Sequence, residues 1–426
     1  MNENYLLKTQ NARQLYFEAA ANLPIIDFHN HISVSDLAYN KSYDNVYELW
    51  LKPDPYKHRL MRICGIPEFY ITGDAEPYEK FLKFCSIFPM LAGNPVYDWS
   101  RMELLKVFGI SDLPTADNPE YLWSQINEKL CSPEFSAVNI LKRFNIEYQS
   151  PVATLLDDLT LFNGKDIVPS LRGDNLLSPD NNFLEALKSK TGIEINNTDS
   201  YIKAICVVLD EFTSAGCKFA DHSLDFDFFE KSKNSLDILK LLSTEYAKRG
   251  WTLLLHIGAK RETSTKLRDI AGPAGGYAAT SNNFPLSKLV DFLGEVEAEG
   301  TLPDTVIFPL NMSDQAPASI LQGSFSEDNI SSKVQLGPAW WWCDHSLGIK
   351  NTLSCISSFG AVSQFIGMTT DSRSILSFVR HDYFRRILCN WLDTQNTAEE
   401  WELPFEQQKE IIKKICYENA KLKIKR

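Results

Sequence analysis

The chain has 426 residues, of which 44% are hydrophobic and 23% charged, values typical of a folded globular protein. Its formal net charge of −12 argues against nucleic acid or an anionic membrane as the main partner. No apolar run reaches the length of a membrane span, and residues 1–10 lack the apolar core of a signal peptide. The nine cysteines are scattered and form no CxxC pair, which favours a reducing cytoplasm.

Eight short β-rich apolar runs, each bounded by turn residues, are predicted strands. They are residues 25–29, 146–150, 167–171, 218–221, 252–256, 306–310, 333–336 and 365–370. Several are uninterrupted apolar segments, as expected for a parallel sheet that is buried on both faces. Amphipathic helical patterns lie between many of them, as in residues 236–248, 286–292 and 375–391. This alternation predicts an α/β fold, a (β/α)8 TIM-type barrel.

About a hundred residues between the first two predicted strands interrupt the alternation. This interval contains many aromatic residues and helix-like stretches, including residues 78–88 and 121–130. We expect a single barrel domain over residues 1–426, with residues 40–140 as a helical insertion that covers the barrel mouth. The first twenty residues and the charged tail, residues 406–426, are predicted helices on the outside.

Polar residues at the ends of the predicted strands are the first candidates for chemistry, because active sites of such barrels lie at the carboxyl ends of the strands. In chain order they are His29, His31, Arg172, Asp221, His222, His256, Asp371 and Arg373. Alternate residues of a strand share a face, so His29 and His31 can bind one ion. With Asp371 they form a nitrogen and oxygen ligand set suited to zinc or a similar divalent ion. His256 is then a fourth ligand or a polar neighbour.

The same residues also have structural interpretations. His-x-His can be two satisfied polar residues at a strand end, and each arginine can form an ion pair with a barrel carboxylate. We expect His58 and His345 at the surface, and the charges around His381 solvated or ion-paired on a helix. The run Trp340-Trp341-Trp342 is typical of packing, although a tryptophan at a strand end can stack on a sugar face.

Ordered segments along the whole chain resemble a known family. They are residues 27–31, 93–95, 169–172, 221–222, 256–261, 340–341, 370–374 and 380–390. On these segments the sequence resembles the uronate isomerase (glucuronate isomerase) family of the amidohydrolase superfamily. The resemblance implies an enzyme, an intramolecular oxidoreductase of sugar-acid catabolism. It interconverts D-glucuronate and D-fructuronate, and D-galacturonate and D-tagaturonate.

When the functional residues of the family are carried over to the matching positions, the resemblance implies that His29, His31 and Asp371 are metal ligands. His256 is then at or next to the metal. The expected cofactor is a divalent metal, zinc, with manganese as the alternative. The positions implied to line the active site are Tyr56, Arg172, Asp221, Arg261, Trp340 and Arg373. The predicted catalytic residues are Tyr56, Arg172, Asp221, His256 and Asp371. The predicted substrate-binding residues are Arg172, Arg261, Trp340 and Arg373.

Aldose–ketose isomerisation suits these residue types. A base removes the C2 proton of the open-chain sugar, and an electrophile, here a divalent metal, stabilises the enediolate oxygen. The fork of an arginine matches the substrate carboxylate. A phenol with a pKa of about 10 is a poor base. We therefore expect a neighbouring arginine, foremost Arg172, to lower the pKa of Tyr56.

Two alternative functions stay open. Pro55 stands where the family usually shows a histidine before the tyrosine, which keeps a catalytically diverged paralogue as an alternative. A metal-dependent hydrolase of the same superfamily typically needs a lysine ligand after the fourth strand or a histidine after the sixth. The chain has Asp221-His222 and Leu310-Asn311 at those places, which weighs against hydrolysis. The expected partner is a small uronic acid, and a homo-oligomer is compatible with the aromatic insertion.

Overall fold

The computed structural model describes residues 2–164, 166–231, 233–261, 263–273, 275–281, 284–398 and 401–425. Within these ranges the strands are β1 Ile25–Asn30, β2 Ile146–Thr154, β3 Ser170–Arg172, β4 Phe219–Leu224, β5 Thr252–Ile257, β6 Ala259–Lys260, β7 Ala279–Thr280, β8 Thr305–Pro309 and β9 Val334–Leu336. Seven of them form a curled parallel sheet in the order β1-β2-β3-β4-β5-β8-β9. The sheet confirms seven of the eight predicted strands.

Helices alternate with these strands along most of the chain. They are α1 Gln10–Leu15, α2 Val34–Ala38, α3 Pro55–Ile63, α4 Pro77–Ile87, α5 Pro95–Phe108, α6 Pro119–Leu130, α7 Ala137–Leu141, α8 Asn181–Thr191, α9 Thr198–Ser214, α10 Phe228–Lys231, α11 Lys233–Lys248, α12 Thr265–Ala271, α13 Leu286–Ala298, α14 Gln315–Ile320, α15 Ser346–Phe359, α16 Val379–Ala398, α17 Phe405–Lys413 and α18 Asn419–Lys425. None of the helices in the described ranges is long and apolar enough to cross a membrane.

The strands are buried because both faces of the parallel sheet are covered. All six residues of β1 and all six of β5 are buried. Phe28 of β1 contacts Phe219 of β4 across the barrel interior, with 5.5 Å between ring centroids. A layer of bulky side chains therefore fills the barrel below the strand ends. The short antiparallel pair β6 and β7 lies outside this sheet and was not predicted, because two-residue strands carry no periodic signal.

The eighth predicted strand, residues 365–370, is wrong as a strand. The segment runs beside β1, but side chains supply much of its hydrogen bonding. The Thr370 amide donates to Asp27 Oδ1 at 2.6 Å, and the Ile366 amide donates to Gln335 Oε1 at 2.9 Å. Only a few peptide-to-peptide bonds remain, such as Asp371 N to the His29 carbonyl at 3.1 Å. We call residues 365–371 the seam, because they close the gap between β9 and β1.

Helices α2 to α7 lie between β1 and β2, in the interval predicted as a helical insertion. The predicted helices 78–88 and 121–130 are confirmed by α4 and α6. Aromatic side chains hold these helices together: Trp50 contacts Phe84, and Phe81 contacts Trp123, with centroid distances of 5.4 Å in both pairs. At the outside, α1 and a π-helical turn follow the prediction for the N-terminal segment, and α17 and α18 follow that for the tail.

Candidate active site

A cavity of about 470 Å³ opens at the carboxyl ends of the barrel strands. Nine predicted site residues line it: His29, His31, Tyr56, Arg172, His256, Arg261, Trp340, Asp371 and Arg373. The tenth, Asp221, is fully buried beneath the cavity and contacts the lining residues His256 and Arg172. A second cavity of about 520 Å³ lies near α2, α7 and the start of β2, and none of the predicted site residues lines it.

His29, His31 and Asp371 converge on one point of the cavity floor. Asp371 Oδ1 lies 3.3 Å from His29 Nε2 and 3.1 Å from His31 Nε2. Among described residues, neither ring nitrogen of His29 has a hydrogen-bond partner, although both are buried. One potential ligand atom from each residue lies within 4.8 Å of the others. His31 Nε2 also lies 3.3 Å from Arg172 Nη1. Two imidazoles and a carboxylate, with the buried nitrogens of His29 lacking partners among described residues, are a donor set that suits a divalent cation, so these residues fit a metal ion.

The seam positions Asp371. The buried carboxylate of Asp27 accepts hydrogen bonds from the amide and hydroxyl of Thr370, and His381 Nε2 lies 3.2 Å from it. Asp371 itself has a positive φ of 46°, a conformation that costs energy for a residue with a side chain. The surrounding contacts thus hold Asp371 in a strained backbone conformation that brings its carboxylate to the two histidines.

A second ion-pair network lies beside the cluster. Asp221 Oδ1 is 2.6 Å from His256 Nδ1, and Asp221 Oδ2 accepts from Arg172 Nη1 at 3.2 Å. Burial alone would raise the pKa of Asp221, but the charges of His256, His29 and Arg172 hold it well below its usual range. Burial and the charge of Arg172 lower the pKa of His31 to about 4, despite the opposing effect of Asp371. His31 is therefore neutral at physiological pH, as a metal ligand must be.

His222 does not belong to the site, although it was among the strand-end candidates. Its Nε2 lies 2.9 Å from the hydroxyl of Tyr246, on helix α11 outside the barrel. The reason is strand alternation: Asp221 faces inward, so its neighbour faces outward. Gly173 lies against the imidazole of His222, where a Cβ would come within 2.3 Å of Cε1.

The three arginines of the cavity differ in their partners. Arg172 also donates to Asp174 Oδ2 at 2.7 Å, so both of its terminal nitrogens contact carboxylates. Arg261 donates to Asp225 at 3.0 Å and to Ser223 at 2.8 Å. Arg373 has no ion pair within the described part of the chain, and it is exposed to the cavity. The ion-pair interpretation therefore holds for Arg172 and Arg261 but not for Arg373.

Tyr56 reaches the cavity from the start of α3. Asp54 caps this helix by accepting from the Tyr56 amide at 2.9 Å, and Pro55 occupies the first helical position. Proline is favoured there because its missing N–H would be unsatisfied anyway. The Tyr56 ring packs edge-on against Trp99 and Trp342, with centroid distances of 5.6 and 5.5 Å.

The predicted activation of Tyr56 by Arg172 is wrong. Burial raises the pKa of the Tyr56 phenol far above its ordinary value, and Arg380, not Arg172, is the arginine that opposes this rise. The guanidinium carbon of Arg380 lies 4.7 Å from the Tyr56 ring centroid. Burial therefore favours the protonated phenol, which is able to donate a hydrogen bond.

Several predictions for histidines outside the strand ends need correction. His58 is buried, not at the surface, because α3 packs against the barrel mouth. His345 is half-buried and caps α15, where its Nδ1 accepts from the Gly348 amide at 3.1 Å. His381 is buried, not solvated, and its Nε2 lies 3.2 Å from Asp27 Oδ1; burial lowers its pKa, so this contact is a hydrogen bond to the carboxylate.

The tryptophans divide their roles. Trp340 and Trp341 line the cavity, and Trp340 packs edge-on against His256 with 4.5 Å between centroids. Trp342 lies behind Tyr56 and donates to the Ala278 carbonyl at 3.0 Å.

Sequence reasoning missed the carboxylates that position the site, chiefly Asp27 and Asp174. Asp174 lines the cavity and holds Arg172. Strand alternation could not have found it, because β3 ends at Arg172 and Asp174 begins a 3-10 turn. The roles of Asp27 and Arg380 depend on contacts across hundreds of residues and leave no local signal.

A parallel α/β barrel with a His-x-His pair and an aspartate at its strand ends defines a class of metal-dependent barrel enzymes. A family model described as glucuronate isomerase matches residues 1–238 and 231–422. The chain belongs to the glucuronate isomerase family.

Known relatives and solved structures of this family match the chain over nearly its full length. Proteins named uronate isomerase from Caldanaerobacter subterraneus and Bacillus pumilus are 36% and 35% identical, each over 99% of this chain and over 98% and 95% of their own. The crystal structure of uronate isomerase from Thermotoga maritima has a TM-score of 0.89 at 26% identity and covers 100% of this chain and 99% of its own. Glucuronate isomerase from Caulobacter crescentus has a TM-score of 0.90 at 21% identity, covering 100% and 97%, and supports the fold. The predicted (β/α)8 TIM-type fold and the predicted family are confirmed.

Proposed function

We propose that this protein is an aldose–ketose isomerase of sugar-acid catabolism. It interconverts D-glucuronate and D-fructuronate, and D-galacturonate and D-tagaturonate. The observation that carries the proposal is the convergence of His29, His31 and Asp371 at the strand ends of a chain that belongs to the glucuronate isomerase family. The ligand of the cavity is then a small uronic acid.

His29, His31 and Asp371 are the proposed ligands of a divalent metal. Nitrogen and carboxylate donors suit zinc, with manganese as the alternative. When bound, the metal supplies positive charge that stabilises negative charge on the C1 and C2 oxygens of the open-chain sugar. His256 lies next to this set, with 5.0 Å between its ring centroid and that of His29. Asp221 occupies its Nδ1, so the remaining nitrogen, Nε2, serves either as a fourth metal ligand or as the proton-transfer group proposed below.

Arg373 is the proposed anchor of the substrate carboxylate. Arg172 and Arg261 already contact carboxylates of the barrel, whereas Arg373 has none within the described residues. A guanidinium without an ion pair can form a bidentate bond with a carboxylate at the smallest cost. Arg172 and Arg261 complete the positive side of the cavity, and Trp340 offers an apolar surface to the sugar carbons.

Asp221 and His256 form the proposed proton-transfer pair. Asp221 holds Nδ1 of His256 at 2.6 Å, so Nε2 is the ring nitrogen left to exchange a proton. Among described residues this Nε2 is buried and has no hydrogen-bond partner. A base held by a carboxylate beside the C2 carbon can remove its proton and return it to C1. The isomerisation balances when the C2 proton is delivered to C1 and the hydroxyl proton of O2 passes to O1, so that the C1 carbonyl becomes a hydroxyl and C2 becomes the carbonyl.

Tyr56 is the proposed proton donor on the opposite wall. Its phenol is protonated at physiological pH because burial raises its pKa. A buried hydroxyl that faces the substrate can donate a hydrogen bond to an oxygen that gains negative charge in the transition state. This role replaces the base role expected from the sequence.

The remaining predictions concern the surroundings of the enzyme. We propose that residues 40–140 act as a cap, since α3 of this interval brings Tyr56 to the cavity. The cytoplasm is the proposed location, in line with nine cysteines that are free. Assembly into a homo-oligomer stays a prediction.

The test is a turnover assay on purified protein with D-glucuronate and D-galacturonate. Protein stripped with a chelator is compared with the same protein reloaded with zinc or manganese. We expect ketose from at least one sugar after reloading and little before it, and the ratio of rates assigns the preferred substrate. Absence of ketose at full metal occupancy would favour the diverged paralogue, and release of an acid or alcohol from a lactone or ester would favour the hydrolase.

A further inference from the structure

Arg380, the second residue of α16, is a buried cation behind the cavity. It is 1% exposed, and it does not line the cavity. Its guanidinium carbon lies 3.9 Å from the ring centroid of Trp99 and 4.7 Å from that of Tyr56. Its Nη1 lies 3.4 Å from Asp344 Oδ2, and its Nε has no partner among the described residues.

The position of this charge is unusual. A guanidinium loses strong hydration when it is buried, and one long ion pair with Asp344 replaces only part of it. The nearby carboxylates of Asp54 and Glu103 are already engaged by Lys57, at 2.6 and 3.3 Å. Besides its contact with Asp344, the guanidinium of Arg380 lies against the aromatic rings of Trp99 and Tyr56.

We propose that Arg380 is a positioning residue that acts on the reaction through Tyr56. Its guanidinium holds the Tyr56 ring by a cation–π contact and places positive charge behind the phenol. A cation on that side strengthens the phenolic O–H as a donor to the substrate oxygen. This inference rests on the proposed function, because Tyr56 must act in the isomerisation.

The groups around Tyr56 favour this interpretation. Trp99 and Trp342 hold the ring from two sides but carry no charge. The charges that act on the phenol come from Arg380 on one hand and from the carboxylates of Asp344 and Asp371 on the other. Arg380 is thus the nearby cation that balances two carboxylates at Tyr56.

The test is a double-mutant cycle between Tyr56→Phe and Arg380→Met, measured as kcat and KM for the preferred uronate. We expect Tyr56→Phe to lower kcat about 100-fold, within the range for loss of a proton-transfer group. Arg380→Met alone should lower kcat about 10- to 30-fold with KM changed less than about twofold, since it removes charge stabilisation and not substrate contacts. In the Tyr56→Phe background, Arg380→Met should have no further effect on kcat.

Two further variants separate positioning from folding. Arg380→Lys keeps the charge and should recover most of the lost kcat. Arg380→Met leaves Asp344 buried without its partner, so Arg380→Met/Asp344→Asn removes both charges and should restore thermal stability. Its kcat should stay below that of the wild type and of Arg380→Lys, because Asp371 still acts on the phenol without an opposing cation. Recovery of kcat together with stability would overturn the proposal.

The remaining outcomes are also decisive. Equal effects of Arg380→Met in the wild-type and Tyr56→Phe backgrounds would show that Arg380 does not act through Tyr56. A Tyr56→Phe variant as active as the wild type would overturn the roles of both residues but leave the isomerase function intact. Absence of ketose with the metal-loaded wild type would instead overturn the proposed function itself, and the positioning role with it.

Discussion

The floor and the wall of the cavity are built in different ways. Floor residues such as His29, Asp221 and His256 stand on strands, and their titratable atoms lie within 2.6 to 4.0 Å of one another. The wall comes from α3, α5 and the tryptophan run, and its polar group is one phenol among aromatic rings. Strand geometry thus concentrates potential ligands and charged groups, whereas the wall presents a buried phenol among aromatic rings. Under the roles proposed above, metal binding and proton donation can therefore be altered separately.

The largest effect is expected on the floor. Asp371→Asn removes the carboxylate that both histidines share, so bound metal should fall and kcat/KM should drop by about 10³-fold or more. Metal content by elemental analysis and ketose formation check this together. Asp237→Asn, an exposed aspartate on α11, serves as the control and should behave like the wild type. Full metal occupancy in Asp371→Asn would show that the floor binds metal without its carboxylate.

An intermediate effect is expected behind the wall. Burial raises the pKa of Asp344 from an unfolded value of 3.8 to about 6, against the opposing charge of Arg380. A carboxyl with a raised folded-state pKa binds its proton more tightly when folded, so stability falls as the pH rises from about 4 through 6. Asp344→Asn lacks this dependence. The difference in free energy of unfolding between the two proteins should change by about 1 to 3 kcal/mol between pH 4 and 7.

Urea unfolding at several pH values measures that difference. Asp112→Asn, an exposed aspartate, is the matched control, and its curve should run parallel to that of the wild type. A curve for Asp344→Asn that is also parallel to the wild type would mean that the buried carboxyl keeps one protonation state over this pH range.

The smallest effect is expected at the seam. Thr370 Oγ1 donates to Asp27 Oδ2 at 2.8 Å in a buried setting. Thr370→Val keeps the shape and removes this bond, which should cost about 1 kcal/mol of unfolding free energy. Thr352→Val is a matched control, because the buried Thr352 hydroxyl has no partner among the described residues. Equal stability changes in the two variants would show that the bond to Asp27 contributes nothing.

Much of the floor was predictable, and little of the wall was. The His-x-His pair and the buried runs of β1 and β5 follow from alternation along a strand, which a sequence displays directly. His222 was misplaced because this rule was not applied to it: as the neighbour of Asp221 in the strand, it lies on the opposite face. Arg380 and Tyr56 meet only through tertiary packing of α16 against α3. No local pattern reports that contact, so the wrong arginine was expected beside the phenol.

The seam has a consequence for how such a barrel can change during evolution. In β4 and β5 the ladder is formed by peptide groups, and among substitutions only one to proline removes a peptide N–H. At the seam, Asp27, Gln335 and Thr369 supply hydrogen bonds from their side chains. A single substitution at one of these side chains changes how residues 365–371 lie against β1, and the position of Asp371 changes with them. The ligand geometry of this barrel is therefore open to stepwise adjustment, while the rest of the sheet keeps its form.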